Sequence, residues 1–198
     1  QRINTGGLHL NSQEIRHALY VGKSTAMLRR LAESEEFLTV TQHSIDTERM
    51  TDCEYVNRFV AFTELKLTDY KGNIDGFLRM ALKKVNDYDD INILRVERSF
   101  RRAMNYCQRI FGRYAFRKYN ENWRRGPINK ALFESWSYVF SHMTDEEMER
   151  LSNKNDILLK RFQKKLQNID YINALKSGDQ YSVVRRIEMT ESVVREIL

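Results

Sequence analysis

The sequence predicts an all-α protein, a multi-helix bundle of roughly eight to ten helices with short connections. Three observations carry this. A single proline and eight glycines leave few places for the chain to break. Apolar residues recur at three- and four-residue spacings along most of the 198 residues. Helix-capping patterns, a short polar residue with glutamate three positions later, stand ahead of several of these runs.

In chain order, Asn11-Ser12-Gln13-Glu14 reads as a capping box that opens a helix to about Tyr20. Helices follow near Thr25 to Glu33 and Glu35 to Val40. Thr51-Asp52-Cys53-Glu54 repeats the capping pattern before Tyr55 to Leu67, and Asn73 can cap Ile74 to Val85. A long helix is expected from about Asp90 to Tyr119. Gly126-Pro127 puts proline at the first position of a helix from Ile128 to Ser141. Thr144-Asp145-Glu146-Glu147 caps Met148 to Gln167, and two further helices lie near Tyr171 to Lys176 and Ser182 to Leu198. No strand is expected; the alternation at Leu8-His9-Leu10 is too short to count. Lys118 to Gly126, polar and aromatic without clear period, is the weakest seam and the place for a hinge.

The composition, 41% hydrophobic and 30% charged, is that of a soluble globular chain and not of a disordered tail. No apolar run approaches the ~20 residues of a membrane span. The start, Gln1-Arg2-Ile3-Asn4, lacks the basic and apolar regions of a signal peptide, so a cytoplasmic location is expected, with a segment removed upstream. Cys53 and Cys107 lie in helical patterns, as buried thiols in a reducing compartment would.

The net charge is +6, and it is local. Residues 95–125 hold ten basic residues against Glu97 and Glu121, a net +8, so the remainder of the chain nets −2. At 100° per residue, Arg95, Arg98, Arg102, Arg109, Arg113 and Arg117 fall on one stripe of the long helix. The opposite face carries Val96, Phe100, Ala103, Cys107, Ile110, Phe111 and Tyr114. Guanidinium groups at one-turn intervals can follow a phosphate backbone. They can equally form an internal or interdomain ion-pair surface, for which Asp145, Glu146, Glu147 and Glu149 are available acids. Tyr114, Tyr119 and Trp123, close to Arg124 and Arg125, can stack bases or pack the core.

Catalytic patterns fail on inspection. Gly22-Lys23-Ser24-Thr25 resembles the end of a P-loop, but the position that needs its first glycine is His17. Gly22 is instead expected to end a helix. Asp52 with Glu64 and Lys66 copies the residue order of a metal-dependent nuclease. On one helix, however, Asp52 and Glu64 would stand about 18 Å apart. His9, His17, His43 and His142 have no ligand spacing. No catalytic or metal-ligating residue is therefore expected.

The stretch Arg2-Ile3-Asn4-Thr5-Gly6-Gly7, followed by Leu10-Asn11, Gln13-Glu14-Ile15-Arg16, resembles a segment of the GmrSD restriction-endonuclease N-terminal family. That family is also called domain of unknown function 262 and is related to the ParB/sulfiredoxin fold. Softer similarities continue at Arg49-Met50, Asp52, Glu54, Arg58-Phe59, at Tyr70, Gly72, Asp75, Phe77-Leu78, at Phe111-Gly112, Ala115-Phe116-Arg117, and at Ile128 to Glu134. Members of the family carry an upstream Asp-Gly-Gln-Gln-Arg motif for nucleotide binding and hydrolysis. Some also carry a downstream His-Asn-His nuclease, and they act in defence against phage or modified DNA.

This chain contains neither motif, so the resemblance implies the helical C-terminal half of such a protein, an accessory domain without the catalytic motif. It implies no cofactor here, an NTP in the full-length parent, and as partners the missing N-terminal nucleotide-binding half and DNA. Asn4-Thr5-Gly6-Gly7 can form a positive-φ turn that exposes N–H groups as an anion nest, and it can equally be a structural loop. Arg2, Asn4, Thr5, Gly6, Gly7 and Arg16 are thus candidates for phosphate or interdomain contact. Arg95, Arg98, Arg102, Arg109, Arg113, Arg117, Arg124 and Arg125 are candidates for nucleic-acid binding. Residues 1–20 form the junction to the missing half, residues 21–198 the helical domain. Loss of that half would expose an apolar face and favour self-association. A helical protein-interaction scaffold without a nucleic-acid role is the alternative.

Overall fold

The structure is a computed structural model that describes residues 9–198. Among them are eleven α-helices and one small sheet: α1 (Ser12–Leu19), α2 (Lys23–Ala32), α3 (Glu35–Thr41), α4 (Thr51–Glu64), α5 (Ile74–Asn86), α6 (Asp90–Phe111), β1 (Arg117–Tyr119), β2 (Arg125–Ile128), α7 (Lys130–Ser141), α8 (Asp145–Ser152), α9 (Asn155–Lys165), α10 (Ile169–Ala174) and α11 (Gln180–Arg195). The predicted all-helical class is the class observed, with a two-stranded antiparallel addition. No helix among the described residues is long and apolar enough to cross a membrane.

The caps read from the sequence form at three helices. Asn11 Oδ1 accepts from the Gln13 and Glu14 N–H groups while Glu14 accepts from the Asn11 N–H at 2.6 Å. Thr144 and Glu147 close the same box on α8, and Asn73 accepts from the Gly76 N–H on α5.

Elsewhere the structure departs from the sequence expectation, each time for a local reason. Met50, in the left-handed region, precedes α4, so Thr51 is its first helical residue and not its cap. Glu54, the expected box partner, is instead taken by Arg58 and Lys130. Gly22 begins α2 and does not end α1; a Cβ there would sit 2.7 Å from Asn86 Oδ1, which accepts the Ser24 N–H. The long helix stops at Phe111 because Gly112 turns at φ +50°. Beyond it the chain makes one 3-10 turn and enters β1. Pro127 lies in β2, and Asn129 caps α7 through the Leu132 N–H. The segment expected as one helix from Met148 to Gln167 is α8 and α9, broken at Asn153 and Lys154.

One apolar core runs through the chain. α7 lies centrally against α4, α6 and α11. Its Phe133 meets Tyr55 edge-on at 5.1 Å, Phe37 at 6.2 Å and Phe116 at 4.8 Å. One turn on, Trp136 packs on Phe111 at 4.6 Å and Phe162 at 5.0 Å, which fastens α6 and α9 to the same helix. Large aromatic rings with edge-to-face partners contribute stability beyond their buried area. Cys53 and Cys107 are both free and buried in this core.

Candidate functional site

The long helix α6 carries most of the predicted arginine stripe. α6 turns Val96, Phe100, Ala103, Cys107 and Ile110 into the core, which leaves Arg95, Arg98, Arg102 and Arg109 on its outer side. Most of these cations meet carboxylates from other helices. Arg95 grips Glu64 of α4 with two bonds of 3.0 and 2.6 Å, and Tyr88 donates to the same carboxylate at 2.7 Å. Burial alone would raise the Glu64 carboxyl, but Arg95 and Tyr88 hold it below its usual value. Arg101, off the stripe, pairs with Glu36 of α3 at 2.6 Å. Arg102 joins Asp145 at 2.5 Å and the Met143 carbonyl, and Arg109 forks onto Glu149 at 2.5 and 2.7 Å. Arg98 alone of the four has no carboxylate partner among the described residues; it donates to the Leu94 carbonyl of its own helix.

Two arginines expected on this stripe are not on the helix. Arg113 sits in the 3-10 turn over the Tyr114 ring, and Arg117 belongs to β1. Arg117 is 7% exposed and donates to the Gly126 carbonyl at 3.0 Å and to Ser44 Oγ at 2.6 Å. Burial, with Arg125 nearby, lowers its guanidinium pKa. Arg125 bonds Gln42 and the Arg113 carbonyl, so it ties the hairpin to its surroundings. Arg124 is exposed at the hairpin turn. The neighbouring aromatics pack on one another, Tyr119 stacked on Trp123 at 5.4 Å and Tyr114 against both.

Arg2, Asn4, Thr5, Gly6 and Gly7 lie outside the described residues. Arg16 does not: it is buried, its Nε donating to Gln13 Oε1 at 3.0 Å and its Nη1 pairing with Asp75. Arg49 clamps the approach to α1, bonding both Glu14 oxygens and the His9 carbonyl at 2.8 to 2.9 Å. Beside Arg16 opens a cavity of about 310 Å³, lined among others by Gln13, Glu54, Arg58 and Asp75.

A second polar centre behind this cavity was missed by sequence reasoning. Glu134 of α7 is 1% exposed and lies between Arg58 of α4 and Arg186 of α11. Arg58 also forks onto Glu54, which accepts from Lys130 at 3.0 Å. Burial raises the Glu54 carboxyl, and Arg58 with Lys130 overcomes that and lowers it. A signal existed: Glu134 and Arg186 are opposite charges set on the apolar stripes of two helices, where an unpaired charge would be costly.

Chemically, the centre is a closed set of ion pairs. Its carboxylates accept from Arg58, Lys130 and Arg186, and no hydroxyl or thiol nucleophile stands within the set. No group of three or more His, Cys, Asp or Glu side chains among the described residues is arranged to hold a metal ion. No family model, curated protein or solved structure matches the chain.

Proposed function

We propose that this chain is a helical accessory domain of an NTP-dependent, DNA-associated protein of the restriction or phage-defence kind, working in the cytoplasm with the catalytic motif carried elsewhere. The family resemblance supplies the chemistry of that protein, and the orientation of α1 supports the architecture. α1 follows directly on the Asn4–Gly7 motif and buries its polar Gln13 and Arg16. Its apolar residues Ile15 and Leu19 face outward with Leu10 and Val21, Leu19 being 67% and Val21 75% exposed. A helix fixed in this sense, by Arg49 on one side and Asp75 on the other, presents an apolar layer to a partner. The partner in this reading is the nucleotide-binding half that the resemblance implies.

Ile15→Glu with Leu19→Glu tests it. The change should leave the circular dichroism of this chain unaltered and lower NTP hydrolysis of the longer protein at least tenfold. Unchanged hydrolysis in that variant, or hydrolysis by this chain alone, would overturn the reading.

A second reading, a protein-interaction scaffold, is favoured by the commitment of Arg95, Arg102 and Arg109 to carboxylates. Under it the chain binds no nucleic acid at low salt.

A further inference from the structure

α9 is the other cationic helix. From Lys154 to Lys165 the sequence has five basic residues and one acid, Asp156. Lys160 and Lys164 form one outward row four residues apart, and Arg161 and Lys165 form the next row, which turns toward α11. Phe162 and Leu158 hold the opposite side in the core.

Unlike the cations of α6, these are largely uncompensated. Only Arg161 has a carboxylate within 4.0 Å among the described residues, Glu196 at 2.5 Å. Lys165 donates to Ser192 Oγ at 3.2 Å and Lys154 to the Ile197 carbonyl at 2.7 Å, and neither contact removes charge. Lys160 and Lys164 are exposed and have no carboxylate partner among the described residues.

The hairpin extends this surface. Gln163 donates to the Asn120 carbonyl at 2.8 Å, Gln167 to Glu121 at 3.0 Å, and the Tyr119 hydroxyl to the Leu159 carbonyl at 2.9 Å. The turn is thus seated on α9 and adds the exposed Arg124, also without a carboxylate partner among the described residues. On the other flank an open cleft of about 470 Å³ is lined by Arg161, Lys164, Lys165, Asn168, Val193 and Glu196.

We infer that this face, centred on Lys160 and Lys164 and flanked by Arg124, binds the phosphate backbone of duplex DNA without reading its sequence. The inference rests on the DNA-associated reading above and moves the contact away from the arginine stripe of α6. Residues four apart on a helix rise about 6 Å, the scale on which charge recurs on one DNA strand, about 3.4 Å of duplex axis per phosphate. Lysine ammonium groups on flexible stems suit point contacts to phosphate. The amides nearby are occupied: Gln163 and Gln167 hold the hairpin, and Asn168 caps α10. Among the described residues these amides are therefore not free to read base edges, and flexible cations aimed at phosphate favour binding that is independent of sequence.

The test uses a fluorescent duplex at ~50 and ~200 mM salt, with the chain, Lys160→Glu/Lys164→Glu, Lys160→Gln/Lys164→Gln and Arg98→Glu/Arg102→Glu/Arg109→Glu. The α9 variants should keep the helical circular dichroism and lose at least tenfold in affinity, while the α6 variant stays within about threefold. Removing two phosphate contacts with the Gln pair should also flatten the log–log salt slope by about 1.8. Loss confined to the α6 variant would overturn this inference and leave the DNA-associated reading standing. No binding by any form at ~50 mM salt would overturn both. Equal competition by polyglutamate would replace DNA with an acidic protein as the partner and overturn the inference.

Discussion

α6 and α9 are both basic helices, but they differ in what lies opposite their charges. Three of the four outer arginines of α6 meet Glu64, Asp145 and Glu149, contributed by α4 and α8. The lysines of α9 meet a serine hydroxyl, a backbone carbonyl or solvent. Charge counted along a sequence is therefore a poor guide to the field outside the folded molecule. The segment 95–125 holds more charge than the whole chain's net, yet much of it is spent on tertiary pairing, while the shorter run in α9 stays available.

The comparison breaks most severely where a paired cation is buried. Glu134→Ala would leave Arg58 and Arg186 inside the protein without their shared acid. It should cost about 3–5 kcal/mol in denaturant unfolding. A loss below 1 kcal/mol would show that water replaces the carboxylate. Glu64→Gln comes next, because Arg95 and Tyr88 share that carboxylate; about 1–3 kcal/mol is expected at neutral pH. The pH dependence sharpens this. The folded Glu64 pKa lies below its ordinary 4.5, so its contribution is complete above that value and fades as pH falls through the folded pKa. The gap between wild type and Glu64→Gln should therefore narrow in acid, and a gap that widens below pH ~4 would contradict the pairing.

Arg101→Ala, at a half-exposed pair with Glu36, should change stability by no more than about 1 kcal/mol, and less at high salt. Lys160→Ala/Lys164→Ala should be the smallest of all, within about 0.5 kcal/mol, since no intramolecular partner is lost. A larger loss would mean that α9 is engaged within the molecule and not free for a ligand.

Helix existence was legible because it depends on local period and capping. Asn11 with Glu14 and Thr144 with Glu147 close their boxes within four residues, and Glu14 keeps its bond to the cap even while Arg49 bonds it too. Thr51 with Glu54 offers the same pattern, but Arg58 and Lys130 compete for the glutamate, and Lys130 is 76 residues away. The break between α8 and α9 was invisible for another reason: Leu151 and Leu158, both buried, stand seven residues apart, in phase with one continuous helix. The strands were too short, three and four residues, for alternation to be read. At the candidate site, Asp145 and Glu149 were identifiable because they belong to a cluster of acids at 145–149, although their arginines lie 43 and 40 residues before them. Glu64, only 31 residues before Arg95, was not, because no other acid lies within four residues of it to mark a charged surface. The resemblance-derived residues Arg2, Asn4, Thr5, Gly6 and Gly7 fall outside the described structure.

Burial pushes the Cys53 pKa up to about 12 and that of Cys107 well above its ordinary value, so neither is a thiolate at neutral pH in the folded chain. Maleimide reagents should pass both by while the protein is folded and modify them on unfolding. A cysteine introduced on the surface, such as Lys164→Cys, would then be the fast-reacting position. A dye placed there would report what approaches α9 against a silent native background, and late labelling of the native pair would time the opening of the core.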